Sequence, residues 1–197
     1  PYIAGTAVVT GFDNGRLGAY DISSGDPIWE VAVAIPAGRT ELDRLVDMSA
    51  GLQVVGRDVN AVAHGSAVSI ALETGLVLWQ QELSSYAGLG ADFNNVYVTN
   101  DMSEVVALDR AAGTPRWSQG ALRLRDLTAP ARFGNTIVVG DLEGYLHWLS
   151  PDDGTFLARE RVGSQRIAAA PLVVGQNVFV QSEDGTLAAY TTVEDTG

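Results

Sequence analysis

Hydrophobic and polar residues alternate along this chain in short runs that turn residues separate. Residues 136–140, 144–149 and 155–161 each read as a strand, and the turns between them read DLEG at 141–144 and PDDG at 151–154. Asp and Gly in such turns supply the positive φ and the side-chain hydrogen bonds that hairpins need. No segment carries a sustained helical period. The pattern therefore predicts an all-β chain in which helix is close to absent.

The turn glycines recur at a fixed spacing, which indicates a repeat. A turn residue is followed ten residues later by a glycine, and usually by tryptophan four residues after that. The copies are Gly15, Gly25 and Trp29; Gly65, Gly75 and Trp79; Ser103, Gly113 and Trp117; and Gly144, Gly154 and Ala158, with Gly185 opening a fifth. A period near forty residues with about four short antiparallel strands per copy is the content of one β-propeller blade. We predict a β-propeller of four-stranded antiparallel blades, with about four and a half blades present.

The repeat also predicts how the chain is divided. We expect one partial propeller over residues 1–197, with blades at approximately 1–34, 50–84, 87–121, 130–163 and 171–193. Four and a half blades are few for a closed ring, so we expect a fragment that forms an open half-ring or covers its edges with another chain. We interpret the repeat tryptophans as packing residues between blades. The structural repeat residues are Trp29, Trp79, Trp117, Gly25, Gly75, Gly113 and Gly154.

One interval of the repeat is longer than the others. Gly15 and Gly65 are 50 residues apart, whereas the next two intervals are 38 and 41 residues. The inserted segment, residues 35–49, is the most charged part of the chain and also carries Leu42, Leu45, Val46 and Met48. Apolar residues exposed among charges are typical of a protein-binding loop. A solvated loop folded on itself, with a short helical turn capped at Thr40, is the alternative that composition leaves open.

The charge of the chain narrows the choice of partners. The formal net charge is -12, and all twelve basic residues are arginine. Phosphate-rich partners need a basic face, so we predict no binding to nucleic acid and none to anionic lipid. The chain has no cysteine, which removes disulfides, thiolate metal sites and cysteine nucleophiles.

Residues suited to catalysis are few. The two histidines, His64 and His147, fall in different blades, so a metal pair between them is not expected. Carboxylate pairs such as Asp152-Asp153 lie in turns, and no nucleophile elbow, zinc-protease or phosphate-loop motif is present. We predict no catalytic residues, no metal site and no cofactor.

The repeat resembles the pyrroloquinoline-quinone type, whose core reads A-x-D-x-x-T/S-G-x-x-x-W. Residues 19–29 match it well and residues 107–117 nearly as well. Quinoprotein dehydrogenases with this repeat bind the quinone and calcium at the ring centre, typically with a vicinal cysteine pair, which this chain lacks. A degenerate quinoprotein is therefore one alternative, and a generic propeller that binds an exposed strand at its unpaired edges is another.

A second resemblance covers essentially the whole chain. Residues 40–47 resemble the T-E-[IL]-D-R-L-x-D loop of the BamB family, residues 140–148 its G-D-x-E-G-Y-L-H-W strand pair, and residues 11–16 its G-x-D-N-G-R turn. Members are eight-bladed scaffolds of the β-barrel assembly machinery. A lipid at their N-terminus anchors them to the periplasmic face of the bacterial outer membrane. The resemblance implies a C-terminal half, without the lipidated cysteine that would supply the only membrane attachment.

The same resemblance implies partners and site residues. Family members bind the periplasmic (POTRA) domains of BamA and assist outer-membrane protein assembly and insertion without catalysis. Unfolded outer-membrane proteins are a further candidate partner, which would bind by adding a strand to an exposed blade edge. In this chain Glu41, Asp43 and Asp47 would meet basic or amide groups, Leu42 and Leu45 would pack, and Arg44 would hold the loop in shape; a second acidic position of the family is Ser49 here. The family's L-x-L-R contact patch is expected just upstream of Pro1. Leu122, Leu124 and Arg125, before Ala129-Pro130, resemble a repeat of that patch and are weaker candidates.

Overall fold

A computed structural model describes residues 1–12, 14–33, 51–63 and 65–191, and every regular element within these ranges is a β-strand. This confirms the prediction of an all-β chain. The strands are β1 (Tyr2–Ala4), β2 (Ala7–Gly11), β3 (Arg16–Asp21), β4 (Pro27–Ala32), β5 (Leu52–Val55), β6 (Asp58–Ala63), β7 (Ser66–Ala71), β8 (Val77–Gln81), β9 (Gly88–Ala91), β10 (Asn95–Thr99), β11 (Val105–Asp109), β12 (Pro115–Gln119), β13 (Ala131–Phe133), β14 (Thr136–Gly140), β15 (Tyr145–Leu149), β16 (Phe156–Arg161), β17 (Leu172–Val174), β18 (Asn177–Gln181) and β19 (Leu187–Thr191).

The strands form five antiparallel sheets, in each of which every strand pairs with its neighbour in the sequence. The sheets are β1–β4, β5–β8, β9–β12, β13–β16 and β17–β19, and we call them blades 1 to 5. The first four have four strands each, and the fifth has three among the described residues. Sequential hairpins of this kind are the construction of propeller blades. The predicted four-stranded antiparallel sheets are therefore present.

The blades pack face to face in chain order. Their first strands, β1, β5, β9, β13 and β17, contact one another in succession. Four hydrophobic clusters each join two consecutive blades, because alternate residues of a strand point to opposite faces. Val9 and Leu17 of blade 1, for example, share a cluster with Val59 and Ile70 of blade 2. The core is thus a series of blade interfaces, as in other repeat architectures.

A tryptophan reaches across each of the first three interfaces. The Nε1–H of Trp29 donates a hydrogen bond to the carbonyl oxygen of Leu72 over 2.7 Å. Trp79 donates in the same way to Arg110, and Trp117 to Pro151, over 2.7 and 2.9 Å. Each acceptor lies in the turn between the third and fourth strands of the following blade. The indole therefore satisfies its polar group while its rings fill the interface.

The glycine in that same turn makes room for the tryptophan. A Cβ atom on Gly75 would come within 2.7 Å of Trp29, and one on Gly113 within 2.6 Å of Trp79. Gly154 stands in the same relation to Trp117, with a distance of 2.6 Å. Glycine at these positions thus meets two needs, the close approach of an indole and a positive φ.

Blade 4 exchanges the two residues of the tryptophan pair. In blades 1 to 3 a small residue faces tryptophan across the last two strands, in the pairs Ala19 and Trp29, Ser69 and Trp79, and Ala107 and Trp117. In blade 4 the equivalent pair is Trp148 and Ala158. The indole of Trp148 packs edge-on against Tyr190 of blade 5, with ring centroids 5.1 Å apart. Beside Ala158 a groove of about 400 Å³ remains open between these two blades.

The direction of the strands gives each blade two different ends. The turns after its first and third strands lie at one end, which we call the turn end. The middle turn and the connection to the next blade lie at the other, the connection end. Three backbone hydrogen bonds, spaced by 41 residues, tie a connection to the middle turn of the following blade. They join the amides of Asp101, Leu142 and Glu183 to the carbonyl oxygens of Ser84, Arg125 and Arg166.

Candidate partner-binding end

The residues predicted from the inserted loop lie outside the described part of the chain. These are Glu41, Leu42, Asp43, Arg44, Leu45 and Asp47. Val33 and Gly51, the described residues on either side, follow the last strand of blade 1 and precede the first strand of blade 2. Both flanking residues therefore lie at the connection end. The role of the loop residues stays a prediction.

The three weaker candidates lie in the connection from blade 3 to blade 4, and the structure treats them differently. Leu122 is 7% exposed and belongs to the hydrophobic cluster between these blades. Leu124 is 75% exposed and has a left-handed backbone, with φ of 62°. Arg125 is half-buried and engaged by carboxylates. Leu124 alone of the three presents an apolar side chain to solvent.

Two further apolar residues are exposed on the turns that hold Leu124. The amide of Leu124 donates to the carbonyl oxygen of Met102 over 3.1 Å, and the amide of Leu142 donates to that of Arg125 over 2.9 Å. Met102 and Leu142 are both exposed. The repeat does not single them out, although an apolar residue inside an otherwise polar turn is a signal that the sequence contains. Met102, Leu124 and Leu142, which we call the apolar triplet, thus stand on segments joined by backbone hydrogen bonds.

A buried carboxylate lies behind this surface. Asp141 is fully buried. Its Oδ2 accepts hydrogen bonds from His147 Nε2 over 2.7 Å and from Arg125 Nε over 2.8 Å. Its Oδ1 accepts from the amides of Glu143 and Tyr145 over 2.9 and 3.0 Å. Burial alone would raise the pKa of Asp141, but these hydrogen bonds outweigh it and lower the pKa to about 2.

Arg125 links the buried carboxylate of Asp141 to an exposed carboxylate at the surface. Its guanidinium lies 2.7 Å from Asp141 Oδ2 and also 2.7 Å from Glu143 Oε2, and Glu143 is exposed. Because the guanidinium is shared between a buried and an exposed carboxylate, it is not free to meet a partner's anion. Arg125 thus has two partners within the chain, and its contact with another protein stays a prediction.

The connection end is acidic around the apolar triplet. Segments 82–87, 100–104, 120–130, 141–144, 162–171 and 182–185 together carry eight Asp or Glu and three Arg. Arg166 is already paired, 3.2 Å from Asp126 and 3.3 Å from Glu183. The net charge of this surface is therefore negative, and a partner with a basic rim would complement it.

A small depression of about 200 Å³ lies between the connections. Tyr86, Asp126, Thr128 and Arg166 are among its lining residues. In the part of the chain that the structure describes, no three His, Asp or Glu side chains are grouped so that they could hold a metal ion. Nor does any helix there have the length and apolar character needed to cross a membrane. What this end offers is a surface of exposed apolar residues in an acidic surround.

Comparison with known proteins identifies the family. The model of the family described as outer membrane protein assembly factor BamB matches residues 1–119 and 121–196. The outer membrane protein assembly factor BamB of Pseudomonas aeruginosa is 45% identical over 192 residues, which are 97% of this chain and 50% of that protein. This chain thus spans about half the length of the curated relatives it matches.

Solved structures agree with the sequence match. BamB from Moraxella catarrhalis superposes with a TM-score of 0.88 at 28% identity, over 97% of this chain and 57% of that one. The β-propeller domain of Myceliophteria thermophila Cps50 (Swd1) superposes with a TM-score of 0.75 at 12% identity, over 98% and 63% of the two chains, and this likeness concerns the fold alone. The five sheets are accordingly blades of a β-propeller, and the chain belongs to the family of the outer membrane protein assembly factor BamB.

Proposed function

We propose that this chain is part of a non-enzymatic scaffold of the β-barrel assembly complex. It binds the periplasmic POTRA domains of BamA at the periplasmic face of the outer membrane and so assists the assembly and insertion of outer-membrane proteins. The family match along nearly the whole chain carries the proposal. The apolar triplet on an acidic end supplies the surface that such a role requires.

Leu124 is the apolar centre of the proposed contact. It is the most exposed residue of the triplet, and two backbone hydrogen bonds hold its segment against the neighbouring turns. A preordered backbone loses little conformational entropy on binding, and apolar residues presented in this way contribute much of the affinity of an interface. The surrounding carboxylates contribute mainly to orientation and association rate.

We propose that the inserted loop extends the same surface. Its flanking residues Val33 and Gly51 lie at the connection end, as Leu124 does. We propose that Glu41, Asp43 and Asp47 meet basic or amide groups of the POTRA domains, while Leu42 and Leu45 pack against them. In the same proposal, Arg44 pairs with a neighbouring carboxylate and holds the loop in shape. Acidic groups from the loop add to the negative charge of this end, which favours a basic partner.

The test compares two leucines at opposite ends of the blades. Leu124 lies at the connection end, and Leu76, 64% exposed, lies in a turn of blade 2 at the turn end. We expect Leu124→Asp to weaken binding to the BamA periplasmic region by at least about tenfold, because a buried apolar contact is replaced by an unpaired charge. Leu76→Asp should bind like the parent chain. Titration calorimetry measures both, and circular dichroism checks that both variants are folded.

A second pair of variants tests the loop. Asp47→Arg reverses a charge and should weaken binding, whereas Ser49→Ala, two residues away, should not. If Asp47→Arg binds as tightly as the parent chain, the loop is not part of the interface. If Leu124→Asp and Leu76→Asp both bind as tightly as the parent chain, the connection end is not part of the interface either.

A further inference from the structure

Two residues of the connection between blades 3 and 4 have an unusual backbone. Leu124 has φ of 62° and Asp126 has φ of 49°, and Arg125 lies between them. The left-handed conformation is unfavourable for a residue with a side chain, and a bulky leucine adopts it rarely. Such conformations persist only where surrounding contacts impose them. Contacts around this segment must therefore stabilise its left-handed backbone.

Two other connections allow a comparison, because the backbone hydrogen bond between a connection and the next blade recurs every 41 residues. Ser84 and Arg166 occupy the position of Arg125 in the neighbouring connections, and both make the same backbone hydrogen bond to the next blade. The residues on either side of Ser84 and Arg166 have no positive φ. The shared backbone bond is therefore not the cause of the left-handed pair.

What differs is the side chain beneath each connection. Asp141 is replaced by Asn100 in blade 3 and by Ser182 in blade 5, and His147 by Val106 and Ala188 at the corresponding sites. Of these three connections, only the one into blade 4 has a buried carboxylate below it and an arginine bound to that carboxylate. The left-handed residues and the buried ion pair thus occur together in one of the three equivalent places.

We propose that Asp141 is a positioning residue that holds Arg125 and thereby fixes the strained loop which displays Leu124. His147 and the amides of Glu143 and Tyr145 hold the carboxylate in place, so that Oδ2 faces Arg125 Nε. Arg125 is then fixed twice, through its side chain and through its carbonyl oxygen. The residues on either side absorb the resulting bend, and the side chain of Leu124 is left in solvent.

Trypsin reports on this loop directly, because the chain has no lysine and cleavage follows arginine alone. The measurement is native-state digestion of the whole chain with mass identification of the cut sites. We expect Asp141→Asn to raise the rate of cleavage after Arg125 by about tenfold, the change that ~1.4 kcal/mol of local stability produces. Cleavage after Arg166, in the equivalent connection, should not change. Ser182→Ala is the matched control at the equivalent site of blade 5 and should leave cleavage after Arg125 as it is.

The pattern of cutting separates positioning from general loss of stability. A variant that merely unfolds more often would be cut faster after all exposed arginines, in parallel with a lower unfolding midpoint in urea. Such a uniform increase, or no increase after Arg125, would overturn the proposal.

Hydrogen exchange of a second variant covers the case in which Asp141→Asn does not fold. Arg125→Met retains an unbranched apolar stem in place of the aliphatic part of arginine but cannot bind the carboxylate. We expect faster exchange at the amides of Leu124 and Leu142, whose hydrogen bonds belong to this connection. The amide of Glu183, which makes the equivalent bond in blade 5, should exchange as before. Equal protection of Leu142 in Arg125→Met and in the parent chain would contradict the role of the ion pair.

The effect of Asp141 on partner binding rests on the proposed function. The positioning role of Asp141 and the proposed function can nevertheless fail separately. If the parent chain binds BamA, Asp141→Asn should weaken binding as Leu124→Ala does, and the double variant should lose little more than either single variant. If the parent does not bind, the digestion and exchange results still decide whether Asp141 positions the loop. Additive losses in the double variant would show that Asp141 does not act through Leu124.

Discussion

The indole of Trp29 lies directly against Gly75 of the next blade, so close that a Cβ atom there would come within 2.7 Å of it. The same relation joins Trp79 to Gly113 and Trp117 to Gly154. In each case the indole also donates a hydrogen bond to the turn that contains the glycine. Packing, hydrogen bonding and backbone conformation thus depend on a single pair of residues at each of three interfaces.

Two glycines with the same backbone conformation should respond differently to alanine. Gly75 and Gly25 have φ of 72° and 77°, but the Cβ position of Gly25 has no atom within 4 Å. Both substitutions cost about 1–2 kcal/mol for the left-handed backbone. Gly75→Ala costs more, because it also displaces Trp29, and we expect about 1–3 kcal/mol of additional destabilisation. Urea unfolding measures the difference, and equal losses for the two variants would show that the tryptophan contact is not tight.

The exchanged pair in blade 4 predicts where an extra tryptophan is tolerated. Ala158 is exposed beside a groove of about 400 Å³, whereas Ala107 is fully buried. We expect Ala158→Trp to change the free energy of unfolding by less than about 1 kcal/mol, and Ala107→Trp to cost about 3 kcal/mol or more through overpacking. Thermal unfolding of both variants makes the comparison. A large loss with Ala158→Trp would mean that the groove closes in solution.

Acid should weaken the chain partly through Asp141. The folded-state pKa of about 2 lies below the ordinary value of 3.8. The stabilisation from this group is therefore complete above about pH 4 and is lost as the pH falls through about 2. The shift corresponds to roughly 2 kcal/mol. Urea unfolding between pH 2 and 5 should show a steeper loss for the parent chain than for Asp141→Asn, and parallel curves would contradict the assignment.

A degenerate quinoprotein would respond to its cofactor. The described residues bring no three carboxylate or imidazole groups together for calcium, and the chain has no cysteine pair. We therefore expect pyrroloquinoline quinone with Ca²⁺ to leave the Tm unchanged. A ligand present at 100 times its Kd would stabilise the fold by about 2.7 kcal/mol, which a melting curve detects. A rise of several degrees would favour the enzyme alternative over the scaffold.

The sequence predicts the fold well because the repeated residues are the ones that the backbone conformation of each turn requires. Glycine at positive φ and Asp in turns fix where strands end, and the predicted strand at 136–140 agrees with β14. The tryptophan pattern shows that a blade contact exists, but the glycine on the other side of it belongs to the next copy. Only the packing of two blades shows that Gly75 serves Trp29 and that Gly25 has no such neighbour.

The candidate site was less accessible from sequence, and the reasons are physical. Spacing shows that Ala158 replaces a tryptophan, but not that the indole of Trp148 moves into the interface from the adjacent strand, which requires the register of the pair. Similarly, the 140–148 motif contains Asp141 and His147, but it does not show that Asp141 is buried. Nor does it show that Asp141 binds Arg125, which lies 16 residues away in a connection between blades.

The exchange of Trp148 and Ala158 also has a consequence for how the chain comes apart. The stability of a repeat protein is a sum over its units and the interfaces between neighbouring units. The contacts at each interface therefore decide which unit separates first. Among the described residues, three blade interfaces have an indole hydrogen-bonded into the next blade, and the interface between blades 4 and 5 does not. Under mechanical load or partial denaturation, blade 5 should be the first to detach. This chain would then have, at one defined blade interface, the place where its blades separate most easily.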